Sequence, residues 1–234
     1  MARRAKARRG GGKAETGTAQ TRARARRKAG PRAAKLGDSG AANADSLEEA
    51  VVAAAMALAE RQPWTRVTLG DIAEEAGLPL AALMLAFPSK TAVLTAFQRG
   101  IDRAVLQAGE VGEGSARDRL FELLMRRLEA LKPHRKALAS IAAAAPHDPV
   151  GVICGWSRLL HSMSTALALA GLSADGLQGM IRLKGLAGLY GSVLPVFLRD
   201  DSDDLTRTMA ALDGRLQRIE TVINWFRGRI KPET

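Results

Sequence analysis

The sequence predicts an all-α fold of about nine helices: an N-terminal three-helix unit containing a helix-turn-helix, followed by a C-terminal helical bundle. Three observations carry this. Aromatics make up only 4% of the 234 residues while Ala and Leu abound, a composition that favours helix over strand. From Leu47 to Phe226, apolar residues recur at three- and four-residue spacing. Ser, Thr or Asp stands before most of these runs and Gly or Pro after them, where caps and stops belong.

Each element follows from such signals. Ser46 with Glu49 reads as a capping box opening a first helix, with Leu47, Val51, Ala54 and Leu58 on one face, to about Arg61. Pro63-Trp64 breaks it. Thr68 with Asp71 opens a short second helix to Ala76, and Gly77 stops it. Pro79 suits the first turn of a third helix, which Pro88-Ser89 ends. Ser89 caps a fourth, from Lys90 to about Ala108. After the loose stretch GEVGEGS, Ser115 and Asp118 open a fifth, and Pro133 restarts the chain as a sixth. A long helix covers about Val150 to Ala170 and ends at Gly171. Ser173 caps the next, to about Leu198, and RDDSDD places negative charge at the start of the last.

The last two helices suggest self-association. Leu205, Met209, Leu212, Leu216, Ile219, Ile223 and Phe226 alternate four and three apart, an a/d seam. The preceding helix carries Gly185, Gly188 and Gly191, whose cost in helix stability implies close approach to another helix. Both surfaces suit a four-helix homodimer interface with a second copy; packing within one chain is the alternative. The expected domains are a disordered basic tail (1–44), a helix-turn-helix domain (45–108) and a ligand-binding and dimerisation domain (115–230).

The net charge of +11 is concentrated at one end. Residues 1–36 hold 13 Lys and Arg against Glu15 alone, a charge of +12; the remainder holds 22 basic and 23 acidic residues, or −1. The tail has no large apolar residue between Met1 and Leu36, too little to offset the entropy of ordering. Such an arm binds phosphate polymers by counterion release, or acidic membrane lipid. It has no apolar core of a secretory signal, so a cytoplasmic protein is expected.

Several function classes find no support. Cys154 is the single cysteine, so neither an internal disulfide nor a cysteine-rich zinc site is available. His134, His147 and His161 lie too far apart for a local metal motif. No Gly-rich phosphate loop or nucleophile elbow is present, and neither enzyme chemistry nor a cofactor is expected. The apolar run Gly185–Leu198 is too short to span a bilayer and contains Pro195.

The capped first helix, the segment VTLGDIAEEAGLPLAALMLAFPSKTAVLTAF and about five further helices resemble the TetR family of bacterial repressors. Thr68, Asp71, Ile72, Ala73, Ala76, Gly77, Leu83, Phe87, Ser89 and Lys90 carry the likeness, over roughly residues 46–105. It implies an all-helical dimer that binds DNA through helices two and three and holds a small apolar effector in its C-terminal domain. The DNA contacts it implies are Thr68 and Lys90 on phosphates, and Pro79, Leu80, Ala82 and Met84 on the third helix.

That third helix departs from the family pattern. Pro79 replaces the usual polar starter, Ala81 the usual Gly, Met84 the usual Tyr, and Ala86 an often-found His. Leu80, Ala82 and Met84 can touch thymine methyls but cannot make the bidentate bonds that select guanine or adenine. Residues 46–100 carry four basic and six acidic residues, a net −2 that matches a polyanion poorly.

A second resemblance rests on ARDRLFELLMRRLEALKPHRKAL and VFLRDDSDDLTRTMAALDGRL, which look like the lipid-binding accessory protein of ubiquinone biosynthesis, a TetR-like fold that has given up DNA. It implies a hydrophobic lipid ligand, and a membrane surface met by the end INWFRGRIKPET with Trp225 and Phe226. In either case the larger adaptable apolar residues Met125, Trp156, Leu160, Met163, Met180 and Tyr190, with Leu183, are the candidate pocket lining; packed core is the alternative for each.

Overall fold

The computed structural model describes residues 32–229, with side chains from 44 to 218. Every regular element among them is helical: α1 Arg32–Arg61, α2 Leu69–Glu75, α3 Leu80–Ala86, α4 Lys90–Gln107, α5 Ala116–Leu131, α6 Arg135–Ala144, α7 Pro149–Leu169, α8 Gly176–Phe197 and α9 Thr206–Arg229. Two 3₁₀ turns, Lys132–His134 and Ala145–His147, flank α6 at its two prolines. From Glu48 onward the described residues pack as one unit.

α1 begins at Arg32, so Ser46 and Glu49 lie inside a helix and do not start one. Alanines at 33, 34, 41, 42 and 44 carry the helix through Gly37 and Gly40. The basic stretch 1–31 lies outside the described residues. Within the packed unit, Val51, Ala55, Met56 and Ala59 of α1 are buried with Ile72 and Ala73 of α2, Leu83 of α3 and Phe87. α4 turns Val93, Ala96, Phe97 and Ile101 into the core, each large side chain contributing roughly 1.5–3 kcal/mol on burial.

Other predicted stops and caps are met in detail. At Gly77 (φ 66°) the Leu78 N–H reaches the Ala73 carbonyl at 2.9 Å, and the Gly77 N–H reaches Glu74 at 3.0 Å. Gly171 (φ 75°) repeats this at the end of α7, with Leu172 donating to Leu167 and Gly171 to Ala168. Both are Schellman closures, which need a left-handed residue that glycine supplies without strain. Arg119 then donates two bonds to the Ala170 carbonyl, at 3.1 and 2.8 Å, satisfying another open group at that helix end. Ser115 and Asp118 form a complete capping box on α5.

Two expectations near the C-terminus are corrected. Ser173 does not cap α8: its hydroxyl accepts from the Asp175 N–H at 3.0 Å, and the helix starts at Gly176. Leu205, counted in the last apolar seam, lies before α9 with a left-handed backbone (φ 54°), held there by a fully buried side chain. The acidic loop does cap α9, as expected: the buried Asp200 carboxylate accepts from the Thr208 N–H at 2.7 Å and hydroxyl at 2.6 Å, the Ser202 hydroxyl accepts from the Thr206 N–H at 3.0 Å, and the Asp204 carboxylate accepts from the Thr206 hydroxyl. Further along the seam Leu212 and Leu216 are buried and Met209 is exposed; the side chains of Ile219, Ile223, Trp225 and Phe226 lie outside those described.

No single described helix is long and apolar enough to cross a membrane. The bent pair α3–α4 reaches that composition jointly, but Leu83, Val93, Phe97 and Ile101 are its buried core positions.

Candidate nucleic-acid interface and the adjoining cleft

Thr68 sets the start of α2. Its hydroxyl accepts from the Asp71 N–H at 3.1 Å, and its own N–H donates to the Asp71 carboxylate at 2.8 Å. This reciprocal box satisfies two open donors at once. α3 has no side-chain cap, since Pro79 occupies the capping position. Leu83 alone of its residues is buried, and this fixes the outward face: Leu80 is 45% exposed, Met84 50% and Leu85 90%. Ala82 is half-buried, and Pro79 and Thr68 are exposed. The exposed side of α3 therefore bears no hydrogen-bonding side chain except the weak thioether of Met84, as the sequence predicts.

Lys90, expected on a phosphate, is held inward. Its ammonium donates to the Trp64 carbonyl at 2.9 Å and the Val67 carbonyl at 2.8 Å, and lies 4.8 Å from the centre of the Trp64 ring. Burial lowers its pKa, against the pull of Asp148 and Asp71. Trp64 is also fixed from the other side: its N–H donates to the Ser140 hydroxyl at 3.0 Å, which in turn donates to the Gln62 carbonyl at 3.2 Å. The loop between α1 and α2 is thus tied to both α4 and α6.

The six residues proposed as pocket lining do not come together around a space. Met125, Met163 and Tyr190 are packed core, Leu160 is half-buried, and Trp156 and Met180 are exposed. Trp156 shares an exposed apolar stretch of α7 with Val150 and Ile153. Met163 borders a cavity of ≈20 Å³, room for about one water. Beside it Asp102 of α4 pairs with the buried guanidinium of Arg127 on α5 and accepts from the Ser162 hydroxyl of α7 at 2.8 Å. Arg127 in turn lies over the buried ring of Tyr190 on α8, 5.9 Å from its centre, and burial pushes the Tyr190 phenol up.

A larger cleft, ≈180 Å³, opens between α4, α6 and α7, with Trp64 in its wall. Thr91, Thr95 and Gln98 line it from α4, and Arg158 from α7. Sequence reasoning missed this stripe, although its signal was present: 91, 95 and 98 fall at i, i+4 and i+7, a polar row on a helix whose other row is core. Among the described residues there is no cluster of His, Cys, Asp or Glu able to hold a metal.

Comparison with known proteins agrees with this geometry. Residues 51–97 match the family model for the N-terminal domain of bacterial regulatory proteins of the tetR family. No curated protein sequence matches. The structure is similar to that of a TetR transcriptional regulator from Nitrosomonas europaea ATCC 19718, with TM-score 0.61 and 23% identity over 74% of this chain and 97% of that one. A TetR transcriptional regulator from Rhodococcus sp. RHA1 is similar at TM-score 0.54 and 21% identity, over 74% and 97%. Residues 51–97 thus match the tetR-family N-terminal domain, and the chain's fold is similar to that of the two TetR transcriptional regulators.

Proposed function

We propose that this chain is a DNA-binding transcriptional regulator, acting as a homodimeric repressor released by a small effector. The observation that carries the reading is the helix-turn-helix itself: a family-matched unit in which Leu83 anchors α3 and leaves Leu80, Met84 and Leu85 facing outward. An apolar face of this kind reads thymine methyls and groove shape and makes few specific hydrogen bonds. Thr68 keeps its hydroxyl proton, and Lys90 one ammonium proton, for phosphate oxygens. Their main task is to hold α2 and α4 in place. The 13 basic residues of the N-terminal arm supply the attraction that residues 46–100, at net −2, lack.

The homodimer is proposed through α8 and α9. On α8, Leu177 (72% exposed) and Ile181 (64%) share an outward face with Gly185 and Gly188. A Cβ added at either glycine meets nothing within 4 Å, so the close approach they permit is not used inside the chain. A second copy would use it.

A lipid-carrier role has less support: ≈180 Å³ is too small for an isoprenoid chain. The regulator reading is tested by selecting genomic fragments on the full-length protein and footprinting those retained. The expected result is protection of two half-sites about one helical turn apart; no protected duplex at low salt would overturn it.

A further inference from the structure

We infer that the cleft between α4, α6 and α7 is the effector site, and that it takes a small hydroxylated aromatic carboxylate. The link to DNA release rests on the regulator reading above; the site itself rests on geometry alone.

The cleft is built for a polar ligand at one end. The Gln98 Oε1 atom is buried and has no hydrogen-bond partner. Buried polar atoms are rarely left so unless a ligand or water supplies the missing donor. Among the described residues, the side chains of Thr91, Thr95 and Arg158 likewise make no hydrogen bond or ion pair. Four polar side chains therefore face one space without a protein partner, Gln98 through a buried atom and the other three from half-buried positions, while the carboxylate of Asp148, ten residues before Arg158 on the same wall, accepts from the Gly151 N–H at 2.8 Å.

Their placement orders the ligand. Asp102 of α4 is bonded to Ser162 of α7. Gln98 and Arg158 stand one turn before these two residues on their own helices, hence level with each other at the inner end of the cleft. Arg158 there has no carboxylate partner, and Asp102, one turn beyond Gln98, is paired with Arg127. A guanidinium beside an orphaned acceptor suits a ligand carboxylate next to a hydroxyl. Trp64, Leu94, Ile141 and Val152 supply apolar wall around the rest. A cavity of about 150 Å³ holds one benzene ring, so ≈180 Å³ fits a single substituted ring.

Occupancy has a route to the reading head. Trp64 lines the cleft, while its carbonyl and that of Val67 are held by Lys90, one residue from the Thr68 cap of α2. A ring pressed on Trp64 biases the loop that aims α2 and α3.

Calorimetry of the full-length protein without DNA tests the site, using 3-hydroxybenzoate and its neutral analogue 3-hydroxybenzyl alcohol. Saturable binding of the acid, one per chain, is expected. Arg158→Gln should weaken the acid at least tenfold and the alcohol less than threefold. Gly155→Leu should abolish both while leaving the melting temperature unchanged or raised. Gly155 lines the cleft, and a Cβ there meets nothing within 4 Å. The inference is overturned if the acid shows no saturable heat, if the alcohol binds as tightly as the acid, or if both variants bind the acid like the parent. Duplex binding of the ligand-free protein is measured separately, so a failed titration leaves the regulator reading standing, and failed duplex binding leaves the cleft standing.

Discussion

The Lys90 ammonium donates to the Trp64 carbonyl at 2.9 Å while standing 4.8 Å from the centre of the same residue's ring. With its second bond, to Val67, it fastens the start of α4 to the loop that launches α2. A residue in the position of a phosphate contact is therefore first an internal clamp. Lys90→Met keeps the aliphatic stem but leaves two part-buried carbonyls without a donor, at a cost of about 2 kcal/mol. Urea unfolding measures this; a loss below about 0.5 kcal/mol would show that the clamp is idle.

Asp200 sets the acid limit of the α9 end. Burial alone would raise its pKa, but bonds from Ser202 and Thr208 outweigh burial and hold the carboxyl well below its ordinary value of 3.8. A carboxyl lowered in the fold stabilises fully above its unfolded pKa and loses that contribution as pH falls through the folded one. Asp200→Asn should thus cost roughly 1–3 kcal/mol at pH 7, and the gap to the parent should narrow as pH drops below about 4. Urea midpoints from pH 7 to pH 2.5 test this; a gap independent of pH would contradict it.

Glycines on one helix should behave in opposite ways. At Gly179 an added Cβ would lie 2.1 Å from the Ala174 carbonyl carbon, which is backbone and cannot step aside. Gly179→Ala should therefore destabilise the fold. Gly185→Ala and Gly188→Ala meet open space, and each should stabilise the isolated chain by about 1 kcal/mol through helix propensity. If α8 is the dimer face, the same two changes weaken self-association, which sedimentation measures. Unchanged association would remove α8 from the interface.

The Arg127–Asp102 pair joins α5 to α4 inside the core. Arg127→Met should cost roughly 3–5 kcal/mol, because it strands a partly buried carboxylate. Thermal unfolding reads this directly; a change under about 1 kcal/mol would mean that water already compensates Asp102.

Local chemistry was legible in the sequence, and surface assignment was not. The boxes Thr68–Asp71 and Ser115–Asp118, the Ser89 cap and the stops at Gly77 and Gly171 were readable because each is decided within a few residues. Ser46 and Ser173 misled because a cap residue signals a start only if the preceding chain is not already helical and the helix begins at the next residue; Ser46 fails the first condition and Ser173 the second. The outward face of α3 followed from one buried leucine. The pocket did not: Met125, Met163 and Tyr190 have the size and spacing of ligand wall and of core alike, and only packing separates them. The cleft residues Thr91, Thr95 and Gln98 were hidden in plain polarity, since a polar row on a helix ordinarily faces water.

The most direct measurement is the salt dependence of duplex affinity for the full chain and for a chain lacking residues 1–31, which leaves α1 whole and removes 11 basic residues. The full chain should bind, losing affinity steeply between about 50 and 200 mM salt; the shortened chain should lose most binding at every salt concentration. Equal affinity and equal salt slope for the two would contradict the account, because the charge-poor α3 would then be holding DNA without the arm.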